Sequence, residues 1–117
     1  MSVHATVSTE IKNQQVLDRT CKHFGRAASR VVSDHYVGSG QKCSGWAFEF
    51  PHGTRHGNAV VEPATGKAHY DSDYSSSFPK FVDRYSIEAI KQQAELQGLD
   101  TQEGVTADGE VYIEVIG

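Results

Sequence analysis

Phe78-Pro79-Lys80-Phe81-Val82-Asp83-Arg84-Tyr85-Ser86-Ile87-Glu88-Ala89-Ile90, taken with Asp108-Gly109-Glu110-Val111-Tyr112-Ile113-Glu114-Val115-Ile116 downstream, is the stretch that decides the fold. In the first part, Phe78, Phe81, Val82, Tyr85, Ala89 and Ile90 recur at helical intervals and form one apolar stripe. Ser75-Ser76-Ser77 offers a cap, Pro79 falls in the first turn where its missing N–H costs nothing, and Gly98 supplies the stop. In the second part, Val111, Ile113 and Val115 alternate with Glu110, Tyr112 and Glu114, the period of a strand. Asp108-Gly109 is a strong hairpin signal between that strand and one near residues 101–106. The pattern predicts that Phe81, Tyr85 and Ile90 pack on Val111, Ile113 and Val115 as the core of the fold.

Upstream, residues 6–11 alternate weakly and read as a short strand. Asn13 can cap a helix whose apolar face is Leu17, Cys21 and Phe24, with Val16 and Thr20 alongside, ended by Gly25. Residues 30–37 are the next strand, followed by the turn-rich segment 38–42. Trp46, Phe48 and Phe50 then point to one face of a strand, which Pro51 is expected to end. Residues 51–57 read as a turn and residues 58–62 as a strand. Pro63-Ala64-Thr65-Gly66 returns the chain antiparallel through residues 67–71. The order is β-α-β-β-β-β-α-β-β: one α+β domain over residues 1–117, an antiparallel sheet with two helices packed on one face.

Composition narrows function. A chain of 117 residues is one domain's length. Its net charge of -4 and scattered cations disfavour a nucleic-acid partner, although Lys22, Arg26 and Arg30 lie near one another. No run approaches a membrane span, and the first residues lack the basic and apolar regions of a signal peptide. The expected compartment is the cytoplasm, or a host's cytoplasm for a phage protein. Two cysteines, Cys21 and Cys43, match no metal or disulfide pattern, and Cys21 reads as a small buried thiol.

Both ends of the chain resemble the hypothetical chloroplast reading frame thirty-five family of small cyanobacterial, plastid and phage proteins. The opening from Met1-Ser2-Val3-His4-Ala5-Thr6 to Ile11-Lys12, the helix from Asn13 to Phe24, and the closing block of Phe81, Arg84-Tyr85, Gln97-Gly98 and Asp108-Gly109-Glu110-Val111 carry the resemblance. That family has no assigned enzymatic activity, and the resemblance hints at an accessory role. The middle departs from the family, with Ser75-Ser76-Ser77 where members tend to carry a Trp-containing stretch.

That middle holds the candidate chemistry. His52, Thr54, Arg55 and His56 bring donors to a glycine-flanked turn, a pattern suited to an anion, with Tyr70 and Trp46 as stacking surface. Cys43, His52, His56 and His69 form the looser alternative, a metal site without recognised ligand spacing. No G-x-S-x-G elbow is present, and Asp71 with Asp73 reads as a solvated loop. The expected role is a small non-catalytic binding or adaptor protein without a cofactor. Its partner would be a protein or a small anionic ligand, and exposed sheet edges would favour homo-oligomers. The alternative is a small metal-dependent or anion-processing enzyme using His52, His56 and His69.

Overall fold

The computed structural model describes residues 4–8, 11–38 and 40–117; of residues 4–8 it describes the backbone. Among these described residues seven strands and two α-helices follow in the expected order: β1 (His4–Ser8), α1 (Gln14–His23), β2 (Arg30–Tyr36), β3 (Lys42–His52), β4 (Arg55–Glu62), β5 (Lys67–Asp71), α2 (Phe78–Leu96), β6 (Asp100–Val105) and β7 (Val111–Ile116). The fold is α+β. Strands β1 to β5 form an antiparallel sheet in the order β1-β5-β4-β3-β2, and β6 with β7 forms a separate two-stranded sheet. Of the expected first strand at residues 6–11, Thr9 and Glu10 lie outside the described residues, as does Ser39 of the turn-rich segment.

Both helices are set by their ends. Asn13 accepts a hydrogen bond from the Val16 N–H through its side chain, satisfying a donor the first turn of α1 leaves open. Each helix closes with the same paired motif. Arg26 N–H donates to Cys21 and Gly25 N–H to Lys22, and likewise Leu99 to Ala94 and Gly98 to Glu95.

The core lies between one face of the large sheet and the two helices. Val16, Leu17 and Cys21 of α1 and Phe78, Phe81 and Tyr85 of α2 meet Phe48, Phe50, Ala59, Val61, Ala68 and Tyr70 of the sheet. Alternation along β3 explains the choice, since Trp46, Phe48 and Phe50 share the helix-facing side. Phe48 stacks on Phe81 at 4.9 Å between centroids, and Tyr70 stacks on Phe78 at 4.6 Å. Gly57 sits opposite Phe50, and a Cβ there would come within 2.6 Å of the Phe50 ring. The other face carries a smaller cluster of Val37, Cys43, Ala47 and Val60. Cys43 is therefore buried in a strand.

Two expectations need correction. Pro51 does not end β3, which runs on to His52. The pair His52–Arg55 closes the hairpin, so the Pro51 nitrogen points away from β4. On that side β2 pairs no further along β3 than Ala47, so no ladder bond is lost.

The second correction concerns the core. Ile90 is 42 % exposed, Val111 50 % and Val115 49 %, so the hairpin is not part of it, and Phe81 and Tyr85 of the closing helix pack on the large sheet instead. The helical stripe runs instead through Phe78, Phe81, Tyr85, Glu88 and Ala94, with a carboxylate where an apolar side chain is expected.

Candidate functional site

The donors expected on one turn are divided between the two faces of the sheet. Gly53 and Thr54 alone make the turn, with Gly53 at φ +58, and the flanking residues belong to strands. His52 continues the helix-facing row of Phe48 and Phe50. Its Nδ1 bonds the Ser77 hydroxyl, and its ring meets Tyr74 edge to face at 4.9 Å. That contact explains why Ser77, at the N-cap of α2, makes no side-chain capping bond.

His56 lies across from Pro51 on the opposite face, where its Nε2 is 3.5 Å from a Glu49 carboxylate oxygen. His69 shares that face, with Nε2 3.2 Å from Glu62. Thr54 and Arg55 are exposed at the tip. Tyr70 is 2 % exposed beneath Phe78, so it presents no surface on which a ligand could stack. Thus, of the five anion-site candidates, Thr54 and Arg55 stand exposed side by side with no ion pair for the cation among the described residues.

The same division separates His52 from Cys43, His56 and His69. Among the described residues no group of three or more His, Cys, Asp or Glu side chains converges in a way that could hold a metal ion. Burial holds both thiols in the protonated form. It pushes the Cys21 thiol up to about 12, aided by Asp18, and raises that of Cys43, aided by Glu62. Asp71 caps the short 3-10 turn at Ser72–Tyr74 by accepting from the Asp73 N–H at 2.9 Å.

Sequence reading missed the strongest electrostatic feature, an ion network joining α1, α2 and the hairpin. Glu88 is buried at 5 % exposure and faces Arg84 four residues earlier, Arg19 of α1 at 3.3 Å and Lys91 at 3.8 Å. Arg84 also donates both terminal nitrogens to Glu103 of β6, at 2.9 and 2.8 Å, and Lys91 donates to Glu103 at 3.1 Å. The bidentate Arg84 bond, reinforced by Lys91, holds the Glu103 carboxyl down at about 2. Arg19 in turn grips Glu95 at 2.9 and 3.1 Å. The signal available was the Arg84–Glu88–Lys91 spacing, which places all three on one helix face.

This network fixes how the hairpin sits. Glu103 reaches α2, so Val105, Val111, Ile113 and Val115, on the same side of the pleat, face the helix too. The helix covers only part of that face: Ile113 is half-buried, whereas Val105 remains 65 % exposed. A cleft of about 690 Å³ separates the hairpin turn from the first half of α2, lined by Phe24, Lys80, Asp83, Ile87, Glu110 and Val111. On the outer face Tyr112 and Ile116 are also exposed. Both outer edges of the two-stranded sheet are unpaired among the described residues.

None of the described helices is long and apolar enough to cross a membrane. Comparison with protein families, with curated proteins and with solved structures gives no match to this chain.

Proposed function

We propose that the chain is a small non-catalytic binding or adaptor protein, and that its partner is a protein engaged through the C-terminal hairpin. One observation carries this reading. Of the large apolar side chains exposed among the described residues, seven belong to the second half of α2 and to the hairpin: Ile90, Leu96, Val105, Val111, Tyr112, Val115 and Ile116. Exposed apolar residues scattered singly are ordinary, whereas a concentration of them on one small unit, here on both faces of a two-stranded sheet and the adjoining helix, marks an interaction surface. Unpaired strand edges beside it add main-chain donors and acceptors that another polypeptide can satisfy.

An anionic ligand at the β3–β4 tip has less support, because His52 and His56 are already engaged and Tyr70 is buried. A photo-crosslinking amino acid placed at Tyr112 or Val115, in cells making the protein, tests the reading. Adducts to polypeptide are expected there and not from the same group at exposed Thr54. Equal labelling at both places, or none at the hairpin, would contradict it.

A further inference from the structure

We infer that the polypeptide this hairpin fits is a second copy of the same chain, docked head to tail on the corner formed by α1 and the start of β2. The inference rests on the hairpin being a docking surface and adds the identity of its partner. Residues 98–117 contain Asp100, Glu103, Asp108, Glu110 and Glu114 and no Lys or Arg, so every cation of the chain lies upstream. Glu103 is consumed by Arg84 and Lys91, which leaves Asp100, Asp108, Glu110 and Glu114 exposed around the apolar patch.

The α1–β2 corner is the complement. Lys22 and Arg30 are exposed, Arg26 is half-buried with its Nε buried and without a hydrogen-bond partner, and none of the three forms an ion pair among the described residues. A groove of about 470 Å³ runs beside them, lined by Gln15, Asp18, Arg19, Lys22, Arg26 and Ala28. Its one carboxylate, Asp18, already accepts from the Ser29 N–H at 2.8 Å and the Ser29 hydroxyl at 2.6 Å. Val31, 77 % exposed on the β2 edge of the large sheet and opposite Trp46, supplies an apolar contact on the same side of the sheet as α1, whereas Arg30, opposite Ala47, belongs to the other face.

Charge also selects the mode of pairing. Hairpin against hairpin would bring two sets of exposed carboxylates together, and like charges at an interface are strongly disfavoured. Hairpin against corner joins opposite signs. Addition of a long strand is not the mechanism, because the β2 edge is broken between Val32 and His35, with Asp34 at φ +52. The contact is therefore made by side chains of the hairpin's outer face: Tyr112 and Ile116 over Val31, with Glu110 and Glu114 toward Lys22 and Arg26. Such an interface is heterologous and propagates to a ring or filament.

Sedimentation velocity on the purified chain tests this with two charge-reversed variants, Glu110→Lys/Glu114→Lys and Lys22→Glu/Arg26→Glu, each first shown to keep the wild-type melting temperature. The wild type should self-associate, and more weakly as salt is raised. Each variant should associate at least about tenfold more weakly, while an equimolar mixture regains a complex, because each copy supplies the surface the other lacks. A wild type that stays monomeric at about 100 µM would overturn the inference, since a contact weaker than that is below about 6 kcal/mol. So would a salt-insensitive dimer, or a mixture that stays dissociated. If the variants do not fold, the salt dependence of wild-type association decides alone. Hairpin crosslinks to a different polypeptide from a monomeric chain would remove the second copy as partner and keep the hairpin as the docking surface.

Discussion

The large sheet and the C-terminal hairpin use the same alternating pattern and end in opposite states. In the sheet, Phe48, Phe50, Ala59, Val61, Ala68 and Tyr70 are all 2 % exposed or less, sealed under Phe78 and Phe81 of α2 and Leu17 of α1. In the hairpin no residue of β6 or β7 is buried. The sheet is held by apolar area and ring contacts. The hairpin is held to α2 through Glu103, Arg84 and Lys91, with Ile113 as its best-covered apolar side chain. Alternation along a strand reports that its two faces differ; it does not report that one of them is covered. A two-stranded unit is at best marginally stable by itself, so the ion network substitutes for the third strand that the hairpin lacks.

Substitutions can break this contrast, and the largest effect belongs to the sheet. Phe50→Ala removes a fully buried ring from contact with Tyr70, Tyr74 and Phe78 and should cost about 3–5 kcal/mol in chemical denaturation. A loss below about 1 kcal/mol would place the core elsewhere.

Glu88→Ala strikes the joint between the regions. It leaves Arg84, 11 % exposed, with one carboxylate in place of two, and should cost about 3 kcal/mol. The same variant should loosen the hairpin, read as broadened amide resonances in β6 and β7.

Acid should release the hairpin ahead of the sheet. The Glu103 carboxyl is held at about 2 by Arg84 and then Lys91, below its unfolded value of about 4.3. Its contribution is complete above the unfolded value and is lost as pH falls through the folded one. Chemical shifts of Val111 and Ile113 should hold steady from neutral pH to about 5 and move between about 4 and 2, and Glu103→Gln should abolish that step. Movement of the Phe48 and Phe50 resonances at the same pH would erase the distinction. The smallest effect is expected from Val115→Lys, whose side chain is already half exposed: a monomer stability change within about 0.5 kcal/mol, by thermal melt below the concentration of any association.

Much of this architecture is legible in the sequence, for identifiable reasons. Asn13, Gly25 and Gly98 act through local geometry, and each stands where its residue type demands. The Trp46, Phe48 and Phe50 row reads correctly because that side of β3 lies under the helices, which bury Phe48 and Phe50 and half-bury Trp46. Pro51 misleads because proline's penalty depends on whether a neighbouring strand reaches it, a tertiary fact. Ile90 and Glu88 mislead together: an apolar side chain is left outside and a carboxylate is taken inside because Arg19, Arg84 and Lys91 converge on it from two helices.

The histidines look like a cluster in sequence because spacing does not show the side of the sheet. Once β3 and β4 pair with His52 opposite Arg55, His52 and His56 fall on opposite faces. The charge division was present in the composition all along, with every Lys and Arg upstream of residue 92. It acquires meaning only when the hairpin is seen to stand apart.

Native-state hydrogen exchange at a concentration where the chain is monomeric is the most direct test of that separateness. The amides of β3 and β4 that pair within the sheet should exchange only through global unfolding. Those between β6 and β7 should exchange through a partial opening at least about 2 kcal/mol lower, without exposing the sheet. Hairpin amides in the monomer that are protected to the same level as β3 and β4 would show one cooperative unit, and would contradict a hairpin that stands apart from the core.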